Sequence, residues 1–204
     1  DHTGKVCHIL NSSSNGNPGS GASWQGSRAI SVQKANTANN GSLDSYAISS
    51  GLLQAMAAPL GMFYGLSDAN PVDFRLIYKG PYNQWGTNQD PLKGTRPGGT
   101  ITFGGGLALY NTAGQKIGTI GVSGDTSCTD HVVAWKIRKM LGFDNVPAGP
   151  TTYAPLLDGT PASLAGYIAT TTGQPVIAAS AKGDELVIHN TSPGAQYVPS
   201  NPGY

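Results

Sequence analysis

Charge is scarce in this chain. Twelve Lys and Arg and 11 Asp and Glu among 204 residues make a charged share of 11% and a formal net charge of +1, less than half the roughly 25% usual in globular domains. The few cations are scattered, so the basic stripe that nucleic-acid binding needs is missing, and no excess of either sign calls for a charged macromolecular partner. No apolar run approaches 18 residues, which excludes a membrane-spanning helix. Cysteine is nearly absent. With only Cys7 and Cys128, a cysteine-only zinc site is excluded, and no CxxCH run is present for covalent haem attachment. GGTITFGGG lacks the GK[ST] ending of a phosphate loop. GVSGD (Gly121 to Asp125) lacks the last glycine of a nucleophile elbow, so Ser123 has no catalytic setting and no enzymatic constellation can be assigned.

Glycine (29) and proline (14) are plentiful, as in a loop-rich domain. One domain, with an appendage, suits the length. The most regular stretch runs from Gly98 to Phe143. Leu107–Tyr110 and Ile117–Val122 are apolar and β-branched runs separated by Asn111, Thr112, Ala113 and Gly114, a pattern that predicts an antiparallel hairpin. After the Gly121–Asp125 turn, Val133, Ile137, Met140 and Leu141 fall at i, i+4, i+7 and i+8. They predict a helix from about 129 to 141 with that face in the core, capped by Ser127 or Thr129 and stopped by Gly142. Upstream, Lys5–Leu10 reads as a strand, Asn11–Ser23 as a loop, and Ser31–Asn40 and Leu43–Ala58 as helices. Asp73–Gly98, rich in Tyr, Trp, Gly, Pro and Asn, reads as a binding or interface loop. The first residue is Asp, and the low charge with an Asn/Ser/Gly-rich surface leads to the expectation of an exported protein, secreted or periplasmic.

Four blocks in order, SRAISVQKANTANN (27–40), YGLSDANPVD (64–73), GTNQDPLKG (86–94) and the Gly98–Phe143 segment, resemble the GlcG/HbpS-like haem-binding family, also called the haem-degrading domain family, in its extracytoplasmic form. The resemblance spans residues 1–148. It implies an α+β fold, a profilin-like sandwich of an antiparallel sheet with packed helices, and self-association. The resemblance leads to the expectation that an opening helix and strand of the family are missing here, or that they lie in residues upstream of this sequence. Residues 149–204 form an extension that offers a helix (Pro161–Gln174) and a hairpin (Pro175–Ser180 and Glu185–Asn190). These would complete the sheet in their own chain or in a neighbour, or else stand as an independent hairpin.

Within that resemblance, haem is the candidate cofactor and His131 the candidate iron ligand, with Trp135 one turn further along the same helix side. The helix start would keep the His131 imidazole neutral, as ligation requires; packing or capping is its other reading. Gly121, Ser123 and Gly124 are candidate ligand-binding residues through their backbone N–H groups, or serve only to turn the strand into the helix. Arg75, Tyr78, Lys79, Tyr82 and Trp85 could close over a flat ligand or face another subunit. Cys7 and Cys128 are expected to form a disulfide tying the first strand to the helix start; alternatively Cys128 is a thiol activated by the helix N-terminus. The resulting expectation is an extracytoplasmic protein that binds haem or a small anion without obligatory catalysis. The alternative is an extracellular assembly subunit that forms oligomers or filaments by strand exchange through its chain ends.

Overall fold

The computed structural model describes residues 1–12 and 24–147, together with 176–178, 187–189 and 198–199. In chain order the elements are α1 (Gly26–Gly41), α2 (Leu53–Ala57), α3 (Leu66–Ala69), α4 (Phe74–Ile77), a 3-10 turn (Tyr82–Gln84), β1 (Gly106–Tyr110), β2 (Lys116–Gly121), α5 (Ser127–Met140), β3 (Val176–Ala178), β4 (Val187–His189) and β5 (Val198–Pro199). Helices pack on an antiparallel two-stranded sheet, so the α+β class holds.

The hairpin forms where its turn chemistry lies. Asn111 Oδ1 accepts hydrogen bonds from the backbone N–H groups of Ala113 and Gln115, both at 3.0 Å, and Gly114 takes φ +75°. Leu107 pairs with Ile120 and Ala108 with Thr119, with a register shift at Leu109/Tyr110. Leu107, Ala134 and Trp135 pack together with Ile120 and Val122 alongside. A second cluster joins Ala47, Ala108 and Tyr110, and a third joins Ala29, Val32, Val72, Ile77 and Leu92.

Helix α1 lies unusually close to the sheet because two strand residues have no side chain. A Cβ on Gly106 would run into Lys34 O, and one on Gly121 into Ser31 O and within 2.8 Å of Ala35 N. The helix is then buried around most of its girth, including Arg28, Lys34, Thr37 and Asn39. Each charged member has a partner: Arg28 pairs with Asp90 and Lys34 with Asp130.

Several expectations need correction. Helix α5 is capped by Thr126, whose hydroxyl accepts from Thr129 N, rather than by Ser127 or Thr129. Most of its apolar stripe faces outward: Met140 is 85% and Leu141 56% exposed, Val133 is also exposed, and Ile137 is half-buried. The buried face carries Asp130, His131, Ala134, Trp135 and Arg138. This orientation wins because two aromatic rings and two partnered charges fill the interior, with Asp130 on Lys34 and Arg138 on Asp144 and Ala108 O.

Lys5–Leu10 is not a strand. It is an extended arm held by two backbone bonds, Val6 N to Thr95 O and Gly94 N to Val6 O. Only Leu53–Ala57 of the predicted Leu43–Ala58 helix is helical. Ser42 Oγ bonds Ile48 N and O, and Ser49 Oγ accepts from Leu52 N, competing with helical bonds.

The hairpin expected in the extension is present as β3 and β4, with β5 added to form a separate antiparallel sheet. Among the described residues, no strand of the extension pairs with β1 or β2. The expected helix at Pro161–Gln174 and most of the Asn11–Ser23 loop lie outside the described residues.

Candidate functional site

The Asp73–Gly98 excursion is organised by one buried ion pair. Arg28, from α1, donates two parallel hydrogen bonds to the Asp90 carboxylate at 2.6 Å each and a third to Ile77 O at 2.7 Å. Asp90 also accepts from Gly86 N and Leu92 N, at 2.7 and 2.9 Å. Burial alone would raise the Asp90 carboxyl, but Arg28 and these backbone donors hold it below its ordinary value. Trp85 covers the Arg28 guanidinium, which sits 4.7 Å from the ring centroid. Trp85 Nε1 donates to Lys79 O at 3.0 Å, closing the loop on itself.

The consequence is a continuous aromatic surface. Phe74 and Tyr78 stack with centroids 6.1 Å apart and planes 4° from parallel. Tyr78 meets Trp85 at 5.5 Å, and Tyr82 meets Trp85 edge-on at 5.3 Å. Phe74 is 56% exposed, and Tyr78 and Tyr82 are exposed as well. Lys79, on the same loop, is exposed. Arg75 is instead held by Asp73, at 3.1 and 3.0 Å; the guanidinium keeps the Asp73 carboxyl below its ordinary range, and the carboxylate raises Arg75 in turn.

The residues singled out around α5 lie deeper. His131 is 1% and Trp135 3% exposed on the inward face. The His131 Cβ lies against Gly104, where an added Cβ would approach it to 3.3 Å. Lys139 Nζ lies 5.0 Å from the Trp135 ring centroid. Gly121 lies at the α1 contact, whereas Ser123 and the exposed Gly124 form the turn. Backbone donors beyond this turn are engaged by the protein's own carboxylates: Asp125 N donates to Asp130 Oδ1 at 3.1 Å and Thr126 N to Asp125 Oδ1 at 2.6 Å. Asp130 in turn accepts from Lys34 Nζ at 2.7 Å. Burial pulls the Lys34 ammonium below its ordinary value, against the opposing hold of Asp130.

The expected disulfide does not form. Cys7 and Cys128 are both free, because the Cys7 arm is registered against Gly94 and Thr95 while Cys128 sits in the first turn of α5. Burial raises the Cys128 thiol, only partly offset by a backbone hydrogen bond. Among the described residues no group of three or more His, Cys, Asp and Glu side chains could hold a metal ion, and no helix is long and apolar enough to cross a membrane.

Tyr78, Tyr82 and Trp85 are recognisable in the sequence, but the pair that assembles them is not. Arg28 and Asp90 stand 62 residues apart, and only a charged residue within an otherwise weakly charged helix hinted at burial.

Fold and site together describe an α+β domain that turns an aromatic, lysine-bearing loop outward beside a tightly packed helix and hairpin. The chain belongs to the haem degrading protein HbpS-like family, whose pattern it matches over residues 19–138, more than half its length. No curated protein and no solved structure matches it.

Proposed function

We propose that the protein is an extracytoplasmic binding protein for haem or a similarly flat, anionic ligand, which it holds without obligatory chemistry. The observation that carries this reading is the exposed Phe74–Tyr78–Trp85–Tyr82 surface, and family membership supports it. Planar aromatic faces suit a macrocycle, Lys79 suits a propionate, and a tyrosine phenol is an established haem-iron ligand type. When bound, haem would supply a redox-active iron. The protein's own residues would orient the ring and pair its charge. His131 fits iron ligation less well than Tyr78 or Tyr82, because its ring is buried and reaching it would require opening α5.

The test is a haemin titration followed by the Soret band. Tyr78→Ala and Tyr82→Ala are each expected to weaken binding about tenfold, equivalent to about 1.4 kcal/mol, and His131→Ala to leave the affinity unchanged in protein that remains folded. A Soret response lost only on His131→Ala would place the ligand at α5 and reject the aromatic surface. No saturable Soret band at all would reject the haem-type reading.

A second reading, a self-assembling extracellular subunit, has its own support. The Val133, Met140 and Leu141 side chains project outward, and among the described residues the β1–β2 sheet has two strands, fewer than usually stand alone in water. Its occupant would be a second copy of this chain, with strand exchange through residues 175–204. Light scattering across a concentration series is expected to show discrete oligomers or filaments that are lost on Met140→Glu or on deletion of 175–204. A monomer at every concentration would end this reading.

A further inference from the structure

A polar cleft of about 560 Å³ opens between the start of the chain, α1 and the Gly98–Gly99 turn, lined by His2, Asn36, Asn39, Asn70, Arg96 and Gly99 among others. It is separate from the residues of the aromatic surface. Three of its asparagines, Asn36, Asn39 and Asn70, share one arrangement: each donates its amide N–H to the protein's own backbone. Asn36 Nδ2 donates to Gly99 O at 2.6 Å, Asn39 Nδ2 to His2 O at 3.1 Å, and Asn70 Nδ2 to Leu66 O at 2.8 Å. Those bonds fix which end of each amide is which and leave the carbonyl oxygens as acceptors.

Asn39 is the decisive member. The residue is only 7% exposed, and its Oδ1 is buried and accepts no hydrogen bond. A buried acceptor left in this condition is unusual in a folded protein and calls for a partner. Arg96 stands at the rim, bonded through Nε and one terminal nitrogen to Thr3 O and Thr3 Oγ1, at 3.1 and 3.0 Å. Its other terminal nitrogen is left to a ligand. The wall is rigid, because Gly99 is pinned by Asn36 and Thr100 N bonds Asn70 O at 3.0 Å.

We propose that this cleft binds a small polyhydroxylated anion of the sugar-acid class. Its hydroxyls donate to the asparagine oxygens and its carboxylate pairs with Arg96. A metal cation would also favour those oxygens, but it would sit beside Arg96, and no carboxylate lines the cleft to offset that charge. A simple anion would satisfy Arg96 and leave Asn39 without a donor.

Glucuronate titrated into the isotopically labelled full chain, with glucose and acetate as comparators, tests this by nuclear magnetic resonance. Glucuronate is expected to bind at least about tenfold more tightly than either comparator and to move the Asn39 side-chain amide signal. Arg96→Gln, at an exposed position, should lower glucuronate affinity to that of glucose while leaving the haemin titration unchanged. Asn39→Leu should weaken glucuronate and glucose alike; if that variant does not fold, Arg96→Gln alone decides. Acetate binding as well as glucuronate, an unmoved Asn39 signal, or Arg96→Gln binding like the unaltered protein would each overturn the proposal. Loss of haem binding bears only on the aromatic surface, so the two sites fail independently.

Discussion

Asp90→Ala is expected to cost about 3 to 5 kcal/mol, because it leaves the Arg28 guanidinium buried without its counter-charge. Arg28 and Asp90 are almost wholly enclosed, and the carboxylate also accepts two backbone N–H groups. Those two donors lose their partner in the same step. Against the roughly 5 to 15 kcal/mol by which domains are usually stable, the variant would be largely unfolded or would melt far below the parent, as a urea titration or thermal melt would show. The aromatic surface should disappear with it, since Asp90 holds the loop that carries Trp85. A parent-like urea midpoint would show that the pair is dispensable.

The same carboxylate sets a pH dependence. Asp90 has a folded-state pKa below its ordinary value, so the folded form binds fewer protons than the unfolded form as the pH falls through the unfolded range. The stabilising contribution is complete above that range, near pH 4, and is lost as the pH drops through the folded pKa. Stability should therefore fall in acid more steeply in the parent than in Asp90→Asn. Urea midpoints measured from pH 6 down to pH 3 test the difference, and parallel curves would assign the acid sensitivity elsewhere.

Gly121→Ala is the other change with a large expected effect. The added methyl would meet Ser31 O, Ala35 N at 2.8 Å and Ala35 Cβ at 3.0 Å, and two of these are backbone atoms of α1 that cannot swing aside. The helix would have to lift from the sheet, pulling Lys34 away from Asp130 and Val122 O. Overpacking usually costs about 1 to 3 kcal/mol; with backbone obstructing and a buried ion pair strained, about 3 kcal/mol or more is expected. Gly26→Ala supplies the contrast. Nothing lies within 4 Å of its added Cβ, and alanine favours the helix by about 1 kcal/mol over glycine in an interior position, so stability should hold or rise slightly. Equal melting temperatures for the two variants would refute the close-approach argument.

The hairpin and α5 were legible because their signals are local. The Asn111–Gly114 turn needs only an asparagine and a glycine at set positions, and the alternating strands on either side need only a half-buried face. The four family blocks were equally readable. The Leu43–Ala58 helix was misread because Ser42 and Ser49 hold the backbone in turns, a competition that apolar spacing does not record. The aromatic surface was legible as a set of residues but not as a surface, since Arg28 is what gathers it.

By itself the sequence determined the α+β class, the hairpin and its turn, the existence and approximate limits of α5, and the family. These depend on contacts a few residues apart or on patterns that survive without coordinates. Tertiary structure alone decided which face of α5 is buried, where the cysteines lie and which polar groups meet. Lys34 reaches Asp130 across 96 residues of sequence and Arg28 reaches Asp90 across 62. A buried ion pair between distant residues can outweigh the apolar stripe of a helix, and nothing in either partner's own neighbourhood announces it.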